Sequence, residues 1–365
     1  AVDCLAISAA DPNLLLFGTA GGVYVSEDAG ESWTQRYAQV FDDGRFAGTG
    51  LDDTCLHSIT PDPTRPGRFY LGYFDIGLLV TEDNGRSFRR CVSGIPSQWE
   101  NSCFSVVQAP DDPDRLWASF GAWSANGVGG IVATSHDGGR SWQPVTGQGT
   151  GFRGFDPRGL ACFGVKPDYR LVHLSPDGVV TSEDGGRSWQ VTSGLFDGER
   201  PTKLLVRDGE ALYCVTERKC RSSVWRSVDR GASWTRIASP RDGIGEVYGL
   251  SAQGDDIVVS ARDTRETLGG VWCSSDGGKT FRRAVTDRFC SGALVTGGYY
   301  LASLTDHPFH DEAFGGGIIA SQDKGKTWWS LNTESLQNLT VTSLQADPSD
   351  PLVVWAGTGG GSVFV

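Results

Sequence analysis

Five acidic residues of this sequence, Asp52, Asp53, Glu100, Asp156 and Glu199, fall in polar connections rather than in apolar runs. Connections of that kind are where binding and catalytic groups concentrate. Two carboxylates held about 5–10 Å apart across a groove can protonate a glycosidic oxygen and supply a base or nucleophile. Cationic and aromatic residues share the same connections: Arg45, Trp99, Trp123, Arg153, Phe155, Arg158, Arg200, Arg262 and Arg265, with Phe46, Phe196, Arg241, Glu246 and Arg288 near them. Guanidinium forks recognise carboxylates, and flat rings stack on sugars or on partner side chains. A further group, His307-Pro-Phe-His310-Asp311-Glu312, sets two imidazoles three residues apart beside carboxylates. Those are ligand types for a divalent ion. No other cofactor is expected.

A repeat positions these groups. The pattern Ser/Thr-x-Asp-x-Gly-x-Ser/Thr-Trp/Phe occurs at Asp28, Asp83, Asp137, Asp184, Asp229, Asp276 and Asp323, at steps of 45–55 residues. That period is the length of a four-stranded propeller blade. In the first unit, residues 4–8, 14–18, 22–26 and 32–37 read as strands, with an Asp-Pro turn at Asp11-Pro12. Within the motif the Gly supplies positive φ, the Asp accepts amide and hydroxyl hydrogens of its own turn, and the closing ring is buried between sheets. All seven aspartates are therefore expected to be structural. Residues 341–347 and 353–365 parallel the first unit but stop before the motif. The expected architecture is all-β: a single propeller domain spanning 1–365, built of four-stranded antiparallel blades, eight in number with the last incomplete. A seven-bladed ring with the tail packed elsewhere is the alternative.

Strand order also assigns faces. The Asp motifs join third to fourth strands and so share a rim with the turns between first and second strands. Connections from second to third strands, and from one blade to the next, emerge on the other side. The candidate site residues named above are expected there.

Net charge is −12 without any block of like charge, which argues against nucleic acid as a partner. No apolar run approaches the ~18 residues that a membrane helix requires. Methionine is absent, as expected of a processed or excised chain that has lost an export signal. Nine cysteines show no CxxC spacing. Cys214 with Cys220 across a short loop is suited to a disulfide and Cys273 with Cys290 between strands is a weaker candidate pair, with buried free thiols as the alternative; disulfides would place the chain in a secreted, periplasmic or cell-surface setting. His57, His136 and His173 are isolated and are assigned no role. Asn338-Leu-Thr340 matches a glycosylation sequon.

The seven motifs resemble the Asp-box, or BNR, repeat of sialidases, xyloglucanases, sortilin-type receptors and photosystem II assembly propellers. That resemblance implies the propeller fold over the whole chain and leaves hydrolase, receptor and assembly roles open. The sialidase Arg-Ile-Pro signature is missing, since Gly94-Ile95-Pro96 lacks the arginine. Xyloglucanases place their two carboxylates between two propellers, whereas one is expected here. The leading expectation is thus an exported, non-catalytic binding or scaffold propeller that docks a protein partner or polysaccharide through its loop-rich face. The alternative is a glycoside hydrolase, sialidase- or xyloglucanase-like, acting on an acidic or branched glycan through paired carboxylates.

Overall fold

The computed structural model describes residues 4–19, 22–48, 55–122, 129–146, 159–175, 178–219, 221–265, 267–286, 289–305, 315–360 and 363–365. Among them the chain is almost entirely β, with one helical turn at Pro240–Asp242. Consecutive strands pair antiparallel into seven four-stranded meanders and one three-stranded meander. Sheet one comprises Cys4–Ile7, Leu15–Thr19, Gly22–Ser26 and Thr34–Gln35, close to the four strands read from the sequence. Sheets two to seven begin at the inner strands Leu56–Pro61, Ser102–Ala109, Leu160–Phe163, Arg200–Asp208, Glu246–Gln253 and Cys290–Thr296. Sheet eight is Val341–Ala346, Val354–Thr358 and Val363–Phe364, three strands without a fourth, as the sequence predicts.

Alternation along each strand explains how these sheets pack. Side chains of a strand point to opposite faces in turn, so a sheet of two apolar faces needs a neighbour on each side. In sheet four, Ala161 and Phe163 face sheet five, while Leu160 and Cys162 face sheet three. Seven apolar clusters result, one at each seam from sheet two round to sheet eight. The seventh cluster closes the ring between sheets eight and two, where fully buried Trp355 meets Phe69 with ring centroids 3.8 Å apart. A Cβ on Gly85 would sit 3.1 Å from that indole, and φ is +77° there, so glycine is required twice over. Thr342 Oγ1 adds a hydrogen bond to the Leu56 carbonyl at 3.2 Å.

This packing differs from the eight-membered ring expected from the repeat count. Sheets two to eight form the closed cycle, and sheet one lies outside it. Leu5 and Ile7 remain 61% and 63% exposed, and Leu16 is exposed as well. The tail is not the displaced element; it packs against sheet two, with Trp355 in the seam.

Each Asp-centred turn has the predicted local chemistry. In the sixth, Ser274 Oγ donates to Asp276 Oδ1 at 2.8 Å, Thr280 N to the same oxygen at 3.0 Å, and Thr280 Oγ1 to Oδ2 at 2.6 Å. Those donors, led by the Thr280 hydroxyl, draw the Asp276 carboxyl down to about 2. Asp28 is drawn down to about 2 by Ser32 and Ser26 in the same way. The closing indoles of Trp142, Trp189, Trp234 and Trp328 donate to the carbonyl of the turn glycine at 3.0–3.1 Å.

The disulfide expectations change. Cys214 and Cys273 are buried free thiols, Cys290 is buried without a disulfide to Cys273, and Cys220 lies outside the described residues. Cys273 points toward the next turn, where its Sγ lies 2.9 Å from a Cβ placed on Gly325, so it serves as seam packing. Burial pushes the Cys273 thiol up to about 12.

Candidate functional site

Backbone bonds tie the Asp-centred turns to the first-to-second-strand turns. Asn84 donates to Gly67 O at 3.0 Å, Gly138 to Asp114 O at 3.0 Å, Gly185 to Tyr169 O at 2.9 Å and Gly277 to Asp255 O at 3.0 Å. One rim is thus occupied by structural turns, and the remaining connections leave from the other rim. On that loop face three groups of side chains come together.

The first lies where sheets two and three meet. His57 on the inner strand of sheet two, Phe74 just after Phe69–Tyr73, and Phe104 on the inner strand of sheet three form an aromatic triangle. Ring centroids are 4.7, 5.5 and 6.0 Å apart, and all three rings are half-buried. Beside it, Arg90 bonds the Ile76 carbonyl at 2.9 Å and Asn101 Oδ1 at 3.1 Å, and lies 3.6 Å from Glu100. Two neighbouring connections are thereby held together. Sequence reading assigned His57 no role and passed over Phe74 and Phe104. The available signal was their position, within a residue or two of the loop-face ends of their strands.

The second group surrounds Glu199. Its carboxylate accepts from Thr216 and from Ser223 Oγ at 3.1 Å, and it pairs with Arg236 at 3.4 Å. Arg236 also reaches Asp197 at 2.9 Å and stacks 4.5 Å above Trp225. With the side chain only 14% exposed and this many donors, Glu199 organises sheet five. Its candidacy as an acid is better replaced by that structural role.

The third group joins sheets six and seven. Arg262 bonds Glu246 at 2.6 Å and stands 5.7 Å from the Tyr248 ring, which meets Phe289 edge-on at 5.0 Å. Burial, and then the Glu246 carboxylate, push the Tyr248 phenol up to about 12, so it keeps its proton and acts as a donor. Arg265, on the turn that follows, is exposed. Arg200 and Arg241 are exposed too, on separate connections.

Three other sequence candidates are placed differently than expected. Arg45 belongs to a two-stranded ribbon, Ala38–Val40 with Phe46–Gly48, that docks on the outer strand of sheet two. There it donates to Ser87 Oγ at 2.9 Å and lies 3.4 Å from Asp83, on the turn rim and not the loop face. Trp99 is 7% exposed inside the seam between sheets two and three, where its connection folds back over apolar neighbours. Phe196 is 2% exposed against Trp225 and Trp234. His173 is fully buried, and its Nδ1 lies 3.3 Å from the Gly159 carbonyl.

Asp52, Asp53, Trp123, Arg153, Phe155, Asp156, Arg158, Arg288, His307, His310, Asp311 and Glu312 lie outside the described residues. Among the described residues no group of three or more metal-ligating side chains converges. No helix there is long and apolar enough to cross a membrane.

Comparison with known proteins gives one consistent relationship. No family model matches the chain. A Neosartorya fischeri protein named probable oligoxyloglucan-reducing end-specific xyloglucanase is 26% identical over 98% of this chain and 43% of its own length. The oligoxyloglucan-reducing end-specific xyloglucanase of Emericella nidulans is 26% identical over 92% of this chain and 40% of its own. The chain thus spans less than half the length of these curated relatives. Among solved structures, a xyloglucanase from Xanthomonas campestris superposes with a TM-score of 0.62 at 17% identity, over 98% of this chain and 49% of that one. That likeness supports the propeller fold.

Proposed function

We propose that this chain is a glycan-handling propeller of the glycoside hydrolase type, whose loop face binds a branched glucan resembling xyloglucan. The observation that carries this reading is the sequence similarity to two xyloglucanases across 98% and 92% of the chain. The loop face has suitable chemistry: the His57–Phe74–Phe104 triangle offers ring faces for pyranose stacking, and Tyr248 with Arg262 offers donors for hydroxyls. Catalysis would draw its carboxylate pair from Asp52, Asp53, Asp156 and Glu100, with a separation near 5 Å giving retention and a wider one inversion. A polymeric glycan places the work outside the cytoplasm.

Incubation with xyloglucan oligosaccharides, read by reducing-end release and by calorimetric binding, tests this. Turnover is expected to fall at least ~100-fold in one of Asp52→Asn, Asp53→Asn, Asp156→Asn or Glu100→Gln, in keeping with the weight of general acid–base catalysis. Absence of both binding and turnover would overturn the reading.

A non-catalytic binding ring is favoured by one observation. Glu100, Glu199 and Glu246 are each paired with an arginine, Arg90, Arg236 and Arg262 respectively. Binding of the oligosaccharide without turnover would decide for that second reading, and preference for a protein ligand would decide for a scaffold.

A further inference from the structure

On the turn rim, sheets five and six leave a groove of about 460 Å³ between them. Arg226, Arg236, Lys279, Ser233, Thr235 and Ile237 line it. Arg226 comes from the third strand of sheet five, Ser222–Ser227, and Arg236 from the fourth, Thr235–Ala238. Lys279 comes from the Asp276 turn of sheet six. Three cations therefore converge in a chain whose net charge is −12, and among the described residues no carboxylate lines the groove.

Two of the three cations have capacity to spare. Arg226 lies 5.7 Å from the Tyr213 ring, and its Nε is buried without a hydrogen-bond partner. A buried donor left without a partner is unfavourable, and a ligand oxygen that reaches it removes that cost. Lys279 is exposed and makes no salt bridge among the described residues. Arg236 is held in place by Asp197 and Glu199, so it gives the groove a rigid wall. Gly277 keeps the floor open: a Cβ there would stand 3.5 Å from Arg226 Nη1 and 3.1 Å from Asp255 Oδ1.

We propose that this groove binds the oxyanion group, carboxylate or sulfate, of an acidic sugar chain. Arg226 and Lys279 take the oxyanion, Thr235 donates to a sugar hydroxyl, and Ile237 covers an apolar ring face. The class of ligand rests on the glycan reading above, but the groove shares Arg236 only with the Glu199 group and no residue with the His57–Phe74–Phe104 or Tyr248–Arg262 groups, so the two can fail separately.

Affinities would be measured calorimetrically for an oligogalacturonate, a sulfated oligosaccharide of heparin type, neutral xyloglucan oligosaccharide and a poly-glutamate peptide, at low and high salt. One of the anionic sugars is expected to bind at least ~10-fold more tightly than the neutral one at low salt, with the difference shrinking as salt screens the charges. Which of the two binds separates carboxylate from sulfate. Arg226→Gln with Lys279→Gln should lose ~10-fold for the anionic sugar, about one charge-assisted hydrogen bond, and leave neutral glucan binding unchanged. Lys279→Gln alone, at an exposed side chain, keeps the test intact should the double variant fold poorly. Equal binding of neutral and anionic sugars, full affinity in the variants, or preference for the peptide would overturn the proposal. Loss of neutral glucan binding with anionic binding retained would overturn the loop-face reading only.

Discussion

Replacing Trp355 by alanine should be among the most destabilising single changes in this protein, because that indole closes the ring. It is 0% exposed, lies 3.8 Å from Phe69 centroid to centroid, and packs within a cluster that includes Leu56, Ile59, Leu71 and Phe88. Truncating a buried tryptophan costs about 3–5 kcal/mol through lost transfer energy and the cavity left behind. Taking a urea m-value of about 3 kcal/mol/M, the unfolding midpoint should fall by roughly 1–1.7 M. Two comparisons make the result specific. Trp117, also 0% exposed, sits at the seam of sheets three and four and should cost a similar amount. Trp33 in sheet one is 36% exposed and touches Phe17 edge-on at 4.6 Å, so Trp33→Ala should shift the midpoint by less than about 0.3 M. Far-UV circular dichroism in a urea series reads all three without depending on indole fluorescence. If Trp355→Ala costs no more than Trp33→Ala, sheet eight does not close the ring against sheet two.

Removal of residues 1–36 should leave the melting temperature within a few degrees of the full chain, since sheet one lies outside the cycle of packed sheets; a collapse of the transition would show that sheet one is part of the ring. Acid should destabilise the fold in a definite window. Asp229 and Asp276 are drawn down to about 2 when folded, so their stabilisation is complete above the unfolded value near 4 and is lost as pH falls toward 2. A urea midpoint that stays flat from pH 4.5 to 2.5 would contradict this. Thiol titration should leave Cys91, Cys103, Cys162, Cys214 and Cys273 silent in the native protein, because burial holds their protons and blocks access. Exposed Cys4 should react quickly, and fewer than nine thiols in denaturant would reveal a disulfide.

Much of the architecture was legible because its signals are local. An Asp, a Gly and two hydroxyls within eight residues close their own turn, so the motif at Asp276 or Asp28 reads the same in sequence and in space. Strand order follows from such turns, and with it the division into a turn rim and a loop rim. Site residues were less legible, because a connection's composition does not say whether it folds outward or back. Trp99 and Phe196 looked like exposed stackers and are seam packing, while Arg45 crosses to brace the Asp83 turn. His57, Phe74 and Phe104, separated by up to 47 residues, become neighbours only when two sheets pack.

From the chain alone came the repeat, the four-stranded meander and the structural role of its aspartates, since each depends on bonds within a few residues. Ring closure was decided by tertiary packing: sheets one and eight carry similar strands, and complementarity of Trp355 with Phe69 and Gly85 selects one of them. The same holds for the cationic groove, whose members Arg226 and Lys279 belong to different repeats and meet only across a seam.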